Sequence, residues 1–306
     1  MPRADLSVRL CGIRLSNPTM LASGILGETA GSLIKVAKCG AGAVVTKSIS
    51  VEPRAGNPNP TIVETEHGLL NAMGLPNPGI EEYRHEMLKA VKESGVPVFA
   101  SIFGADADEF AVLGRKMEKY GASALELNLS CPHAKGYGAE LGSDAGTVEQ
   151  ITRKVKESAK IPVLVKLTPN TANILQLARA VEKGGGDGLV AINTLRAMAI
   201  DTDLRKPILA NRFGGLSGPA IKPIGIRVVY ELYGEISIPI IGCGGINTGK
   251  DALEYIMAGA SAVQIGSAVH YRGAGVFKKV CDEVGAYMKS NGITDLKELV
   301  GVAKVR

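Results

Sequence analysis

Eight short runs of apolar and β-branched residues recur along this chain, separated by segments with helical spacing. That alternation admits few folds other than a parallel α/β sheet. The predicted strands are Thr19–Ser23, Ala43–Lys47, Val96–Ile102, Ala124–Leu129, Pro162–Leu167, Gly188–Asn193, Pro239–Cys243 and Ala262–Gly266. Helical signals lie between the later ones. Val148, Ile151 and Val155 follow Thr147 at helical spacing, and Thr248 precedes Asp251 at capping-box distance. Eight parallel strands with crossover helices close into a barrel more readily than they spread into an open sheet. The expected fold class is therefore α/β, a (β/α)8 TIM barrel. A length of 306 residues suits one such barrel, so 1–306 reads as a single domain with loops inserted over its C-terminal mouth.

Two segments break the rhythm. Residues Val51 to Gly79 follow the second strand and are rich in Pro, Gly and Asn, too long for a plain βα connection. They are expected over the top of the barrel. Pro132 to Gly146, after the fourth strand, is glycine-rich and reads as a mobile lid.

Composition narrows the partners. Hydrophobic residues make up 45% and charged residues 21%, with a net charge of +5 and no run of like charge. With no Trp and 4% aromatics, the stacking platforms of a nucleic-acid binder are missing. No apolar stretch is long enough for a membrane span, and the start MPRADLSVRL lacks a signal-peptide core, so a cytoplasmic location is expected. Cys11, Cys39, Cys131, Cys243 and Cys281 are scattered, without a C-x-x-C pair. That spacing argues against disulfides, a zinc site or an iron–sulfur cluster held by this chain alone.

The strand ends carry the chemistry. In order they offer Ser23, Lys47, Ser101, Asn128, Lys166, Asn193, Cys243 and Gly266, and in a barrel these converge on one mouth, where active sites lie. Lys47 and Lys166 each end an apolar strand and would suffer desolvation unless an anion met them; the plain alternative is a pair of exposed rim lysines. Gly242-Cys243-Gly244-Gly245-Ile246 and Gly266-Ser267 follow the last two strands, the usual phosphate site of this fold. There, small residues let backbone N–H groups approach an anion; the plain alternative is tight turns with no ligand. The cluster Gly214–Gly218 precedes a helix and could close the same site.

Cys131 opens the glycine-rich segment and stands near Asn128, so it is expected to face the ligand. A small thiolate fraction would suffice for a base, although most cysteines are merely small buried hydrophobes. Cys243 reads as packing beside the phosphate turn. There is no G-x-S-x-G elbow and no H-E-x-x-H. The four histidines show no metal-ligand spacing, and the G-x-x-G at Gly24–Gly27 lacks a dinucleotide-binding context.

In order and spacing, LASG (21–24), TKS (46–48), NAMGLPNPG (71–79), ELNLSCP (126–132), VKL (165–167), AINT (191–194), GGLSGPAIKP (214–223), GCGGI (242–246) and QIGSA (264–268) resemble dihydroorotate dehydrogenase. The likeness covers nearly the whole chain. AINT, GGLSGPAIKP and the ending ELVGVA are most similar to the catalytic subunit of class 1B.

The resemblance implies FMN across the barrel mouth. Its phosphate would lie on Gly244, Gly245, Gly266 and Ser267 with Gly218 nearby, and its ring would be held by Ser23, Lys47, Ser48, Ser101, Asn128 and Ile192. Lys166 would sit at the pyrimidine edge, where positive charge favours the reduced, anionic flavin. It implies substrate contacts from Lys47, Asn71, Ala72, Met73, Gly74, Leu75, Asn128, Asn193 and Thr194, with Lys47 on the carboxylate and the amides on ring N–H and C=O groups. Cys131 would take a proton from carbon 5 of dihydroorotate as hydride leaves carbon 6; class 2 enzymes carry serine there. Electrons would pass to NAD+ through a partner subunit bearing FAD and an iron–sulfur cluster, around a homodimeric core in a heterotetramer.

Three positions depart from the pattern. Ser101 replaces the usual asparagine, so one flavin hydrogen bond would be shorter-reaching or water-mediated. GLPN is closer to class 1A than to the GLQN common in 1B. SCPHAKGYGAELG differs from the common SCPNV and is similar to dihydropyrimidine dehydrogenase. A fumarate-using class 1A-like enzyme and a dihydropyrimidine dehydrogenase-like subunit therefore stand as alternatives. A flavin binder without catalysis and a non-redox barrel lyase or isomerase for a phosphorylated sugar stand further off.

Overall fold

The computed structural model of the chain describes residues 4–129 and 141–305. Eight parallel strands form a closed barrel: β1 Thr19–Leu21, β2 Ala43–Val45, β3 Val98–Ile102, β4 Ala124–Asn128, β5 Val163–Lys166, β6 Gly188–Ala191, β7 Ile240–Cys243 and β8 Ala262–Ile265. Each strand pairs with its neighbours in chain order, and β8 closes on β1 through Val263↔Thr19 to Ile265↔Leu21. Apart from Asn128, all their residues are buried, because helices cover the outer face and side chains fill the inner one. All eight strands fall where the apolar runs predicted them, each trimmed by up to two residues per end.

The helices are α1 Ala30–Lys38, α2 Ile80–Glu93, α3 Ala107–Lys119, α4 Ala145–Ser158, α5 Ile174–Lys183, α6 Lys222–Leu232, α7 Gly249–Ala258, the short α8 Ala268–Arg272 and α9 Val276–Ser290. Their starts are chemically marked. Thr29, Asp106, Asp144, Asn173 and Thr248 each accept a backbone N–H of the first turn. Thr248 and Asp251 form the predicted capping box. Asp144 starts α4 at Ala145, so the expected lid to Gly146 overlaps the helix, and residues 132–140 of it lie outside the described residues. Among the described residues no helix is long and apolar enough to cross a membrane.

Two features went unforeseen. At the opposite end from the mouth, Val8–Leu10 and Ile13–Leu15 form a hairpin whose two turn residues, Cys11 and Gly12, both have positive φ. Leu10 and Leu15 are fully buried, and Cys11 Sγ lies 3.1 Å from the Asp187 carbonyl at the start of β6. Above the mouth stands a four-stranded antiparallel sheet in the order Leu195–Ala197, Gly214–Ser217, Gly68–Asn71, Ile62–Thr65. It combines the excursion after β2 with the one after β6 around a small core of Leu70, Ala72 and Leu209. The segment Val51–Gly79, read as a long loop over the barrel, thus contains a hairpin, and the cluster at Gly214–Gly218 is mostly strand. Gly215 is needed for close approach, since a Cβ there would lie 2.1 Å from Thr194 Oγ1.

Candidate active site

Between the barrel mouth and the upper sheet lies a cavity of about 460 Å³, within the usual range for small-molecule sites. Its wall on the barrel side is built from strand ends and the first loop residues: Ser23 after β1, Lys47 and Ser48 after β2, Asn128 of β4, Lys166 of β5, and Ile192, Asn193 and Thr194 after β6. The sheet side presents Asn71, Ala72, Met73, Gly74 and Leu75. Gly218, Gly244, Gly245, Gly266 and Ser267 line the end over β7 and β8.

Among the described residues, every one given a cofactor or substrate role from the sequence lines this cavity except Ser101. Ser101 is fully buried one layer behind it, where its Oγ is 2.8 Å from Ser48 Oγ. Ser101 thus stands behind Ser48 and not in the cavity wall. Cys131 lies outside the described residues.

A chain of neutral polar groups crosses the mouth. Asn128 Nδ2 donates to Ser48 Oγ at 3.0 Å, and Asn193 Nδ2 reaches Asn128 Oδ1 at 3.4 Å. The Thr194 N–H in turn donates to Asn193 Oδ1 at 2.8 Å. Such a chain fixes which end of each amide faces the cavity and so presets a pattern of donors and acceptors. Behind it, the Asn57 side chain donates to the Ala72 carbonyl at 2.9 Å and its N–H donates to the Met73 carbonyl at 3.0 Å, which holds 71–75 in place.

The two lysines differ. Lys47 is buried, and among the described residues its nearby anion is the exposed Glu28, at 3.9 Å. Burial pushes its ammonium below the ordinary lysine range, with Glu28 opposing. Lys166 is met from within the barrel. Its Nζ donates to Gln264 Oε1 at 3.2 Å and lies 3.7 Å from Glu126 Oε1. Gln264 Nε2 donates to the other carboxylate oxygen of Glu126 at 2.5 Å. Burial works against the Lys166 charge, but Cys243 and Glu126 more than reverse this and hold it above the ordinary range. Burial also pushes the Cys243 thiol up. The expected anion at Lys166 is thus supplied by the protein. Glu126 and Gln264 were not singled out from sequence, although each is the one long polar side chain in an otherwise apolar run.

At the glycine end, Gly218, Gly244 and Gly245 all have positive φ. A Cβ on Gly245 would lie 2.6 Å from the Gly218 carbonyl, so the two turns touch through their backbones. Tyr255 OH donates to the Gly244 carbonyl at 2.7 Å and steadies the turn from below.

A barrel whose C-terminal mouth joins an amide-lined, cationic pocket to paired glycine turns after β7 and β8 belongs to the class that binds small anionic ligands there. A family model for dihydroorotate dehydrogenase matches residues 5–288. The dihydroorotate dehydrogenase B (NAD(+)) catalytic subunit of Methanocaldococcus jannaschii is 56% identical over 306 residues, 99% of each chain. That of Pyrococcus furiosus is 50% identical over 300 residues, 98% of this chain and 99% of that one. The crystal structure of DHODH from Eimeria tenella in complex with ferulenol superposes with a TM-score of 0.84, covering 99% of this chain and 91% of that one; at 24% identity it supports the fold. This chain belongs to the dihydroorotate dehydrogenase family. The relatives' names agree with the class 1B shading of its motifs and do not favour the fumarate-using, dihydropyrimidine or non-redox alternatives.

Proposed function

We propose that this chain is the FMN-binding catalytic subunit of a class 1B dihydroorotate dehydrogenase, oxidising dihydroorotate to orotate in pyrimidine biosynthesis. One observation carries the reading. The buried cation Lys47, the amides Asn71, Asn128 and Asn193, and the glycine turns share one cavity, in a chain 56% identical to a protein of that name.

The residues present fit FMN. Gly244, Gly245, Gly266 and Ser267, with Gly218, offer backbone N–H groups and a hydroxyl to a phosphate. Ser23, Ser48, Asn128 and Ile192 would hold the ring, with Lys166 at its electron-rich edge. When bound, FMN supplies the two-electron acceptor for the hydride from carbon 6.

The chain's own residues do the rest. Lys47 meets the substrate carboxylate and orients the ring. Asn71, Asn128, Asn193 and Thr194 pair with ring N–H and C=O groups, while Ala72, Met73, Gly74 and Leu75 exclude water from one face. Cys131 takes the proton from carbon 5. A partner subunit carrying FAD and an iron–sulfur cluster relays electrons to NAD+, around a homodimeric core in the cytoplasm.

The test is anaerobic titration of the purified chain with dihydroorotate, followed by visible absorbance. Bleaching of a flavin band is expected. A yellow protein that stays oxidised would move the substrate to another pyrimidine, and a colourless protein that cannot be reconstituted with FMN would sink the proposal. NAD+ reduction is expected only once the partner subunit is added.

A further inference from the structure

The group formed by Glu126, Lys166 and Gln264 lies on three different strands and makes no contact assigned above to substrate. Their side chains are at least 95% buried. From β4, Glu126 faces Lys166; from β7, Cys243; from β8, the neutral amide of Gln264; and from β6 its register partner is the apolar Val190. Lys47 lines the same cavity from after β2.

The amide of Gln264 can stand only one way round. The ammonium has only donors and the carboxylate only acceptors, so Oε1 must take the Lys166 bond and Nε2 must give the Glu126 bond. This fixes one carboxylate oxygen and leaves the other, Oε1, 3.7 Å from Nζ and without a hydrogen-bond partner among the described residues. A carboxylate buried this deeply persists only beside a charge it compensates. A lysine buried this deeply, left alone, would lose its proton near neutral pH.

We propose that Glu126, oriented by Gln264, is a positioning residue that keeps Lys166 an ammonium across the working pH range, so that a fixed charge and not a titrating amine faces the reduced flavin. This rests on the FMN reading above.

The consequence is a pH signature. In Glu126→Gln the amide keeps its shape but loses the charge, so Lys166 deprotonates as pH rises and the reduced, anionic flavin loses its counter-charge. Relative to the parent, the preference for reduced over oxidised FMN should fall at least tenfold between pH 6 and pH 9. That is about 30 mV on a two-electron midpoint potential. The experiment is spectroelectrochemical titration of holoprotein across that range. Adding Lys166→Arg to Glu126→Gln restores a permanent charge and should remove the break. A Glu126→Gln profile parallel to the parent, or a break that survives the arginine, overturns the proposal. Should Glu126→Gln not fold, Glu126→Asp reports instead. Its shorter side chain withdraws the carboxylate from Nζ, so a break at the alkaline end is expected and a flat profile refutes. Failure to bind FMN at all would instead strike the functional reading, since the parent protein would show it too.

Discussion

Replacing Lys47 by Met tests the substrate reading at its most demanding point. The ammonium is buried, and its nearby anion among the described residues is an exposed carboxylate 3.9 Å away, a contact worth at most about 1 kcal/mol. A ligand carboxylate about 4 Å from it would gain roughly 4 kcal/mol at the effective dielectric of a partly buried site. Removing the lysine also removes its own desolvation cost, so the net loss should be about 2–3 kcal/mol, or roughly 30- to 150-fold in affinity.

The assay is calorimetric titration of oxidised protein with orotate and with uracil, which lacks the carboxylate. Lys47→Met should weaken orotate by that factor and leave uracil nearly unchanged. The parent should also lose orotate as pH rises through the lowered pKa of Lys47, because only the protonated amine attracts the anion, whereas the variant should show no such loss. Equal weakening of both ligands would mean that Lys47 shapes the pocket without reading the carboxylate. An unchanged orotate affinity would remove it from the substrate site.

Three further outcomes are expected. Cys131→Ala should retain FMN and slow flavin reduction about 10²- to 10⁴-fold in anaerobic stopped flow, and an unaltered rate would exclude it as the base. Gly245→Ala forces a φ of +70° on a residue with a Cβ, 2.6 Å from the Gly218 carbonyl, so FMN should be released at least tenfold more readily, read by flavin fluorescence on dilution. Thr248→Ala removes one half of the capping box of α7, at a cost of about 1 kcal/mol and a melting midpoint lower by roughly 2 °C, checked by calorimetry.

The barrel was legible because its strands are local signals. Ala43–Val45 is apolar, buried on both faces and preceded by glycine, and Ala262–Ile265, apolar but for Gln264, is buried and followed by glycine, so the chain announces them without help from distant residues. The strand-end lysines and the glycine turns were legible for the same reason. The upper sheet was not. Ile62–Thr65 has only intermediate or exposed residues, and Gly214–Ser217 opens with two glycines. Their strand character comes from pairing with Gly68–Asn71, more than 140 residues away in the latter case. The partners of Lys166 were hidden likewise. Glu126 and Gln264 stand 138 residues apart, and only barrel closure brings them together. A usable signal was present, since each interrupts an apolar run with one long polar side chain that must point inward.

Those partners explain why two lysines alike in sequence differ in role. Lys166 ends a buried strand and Lys47 follows one by two residues, and burial opposes the charge of both. Lys166 has its counter-ion built in from β4 and its amide clamp from β8, so its charge is present before any ligand arrives and changes little when one does. Among the described residues Lys47 has only an exposed carboxylate at the edge of contact range, so much of its electrostatic demand is left for a ligand to satisfy. A site that removes a proton and a hydride from adjacent carbons needs both kinds of charge. On the proposed function, the compensated lysine would stabilise negative charge that develops during reaction without gripping the resting cofactor too tightly, while the open one would give an anionic substrate its reason to bind. Exchanging the two environments, by adding a carboxylate beside Lys47 or deleting Glu126, should therefore impair different steps: substrate binding in the first case and flavin reduction in the second.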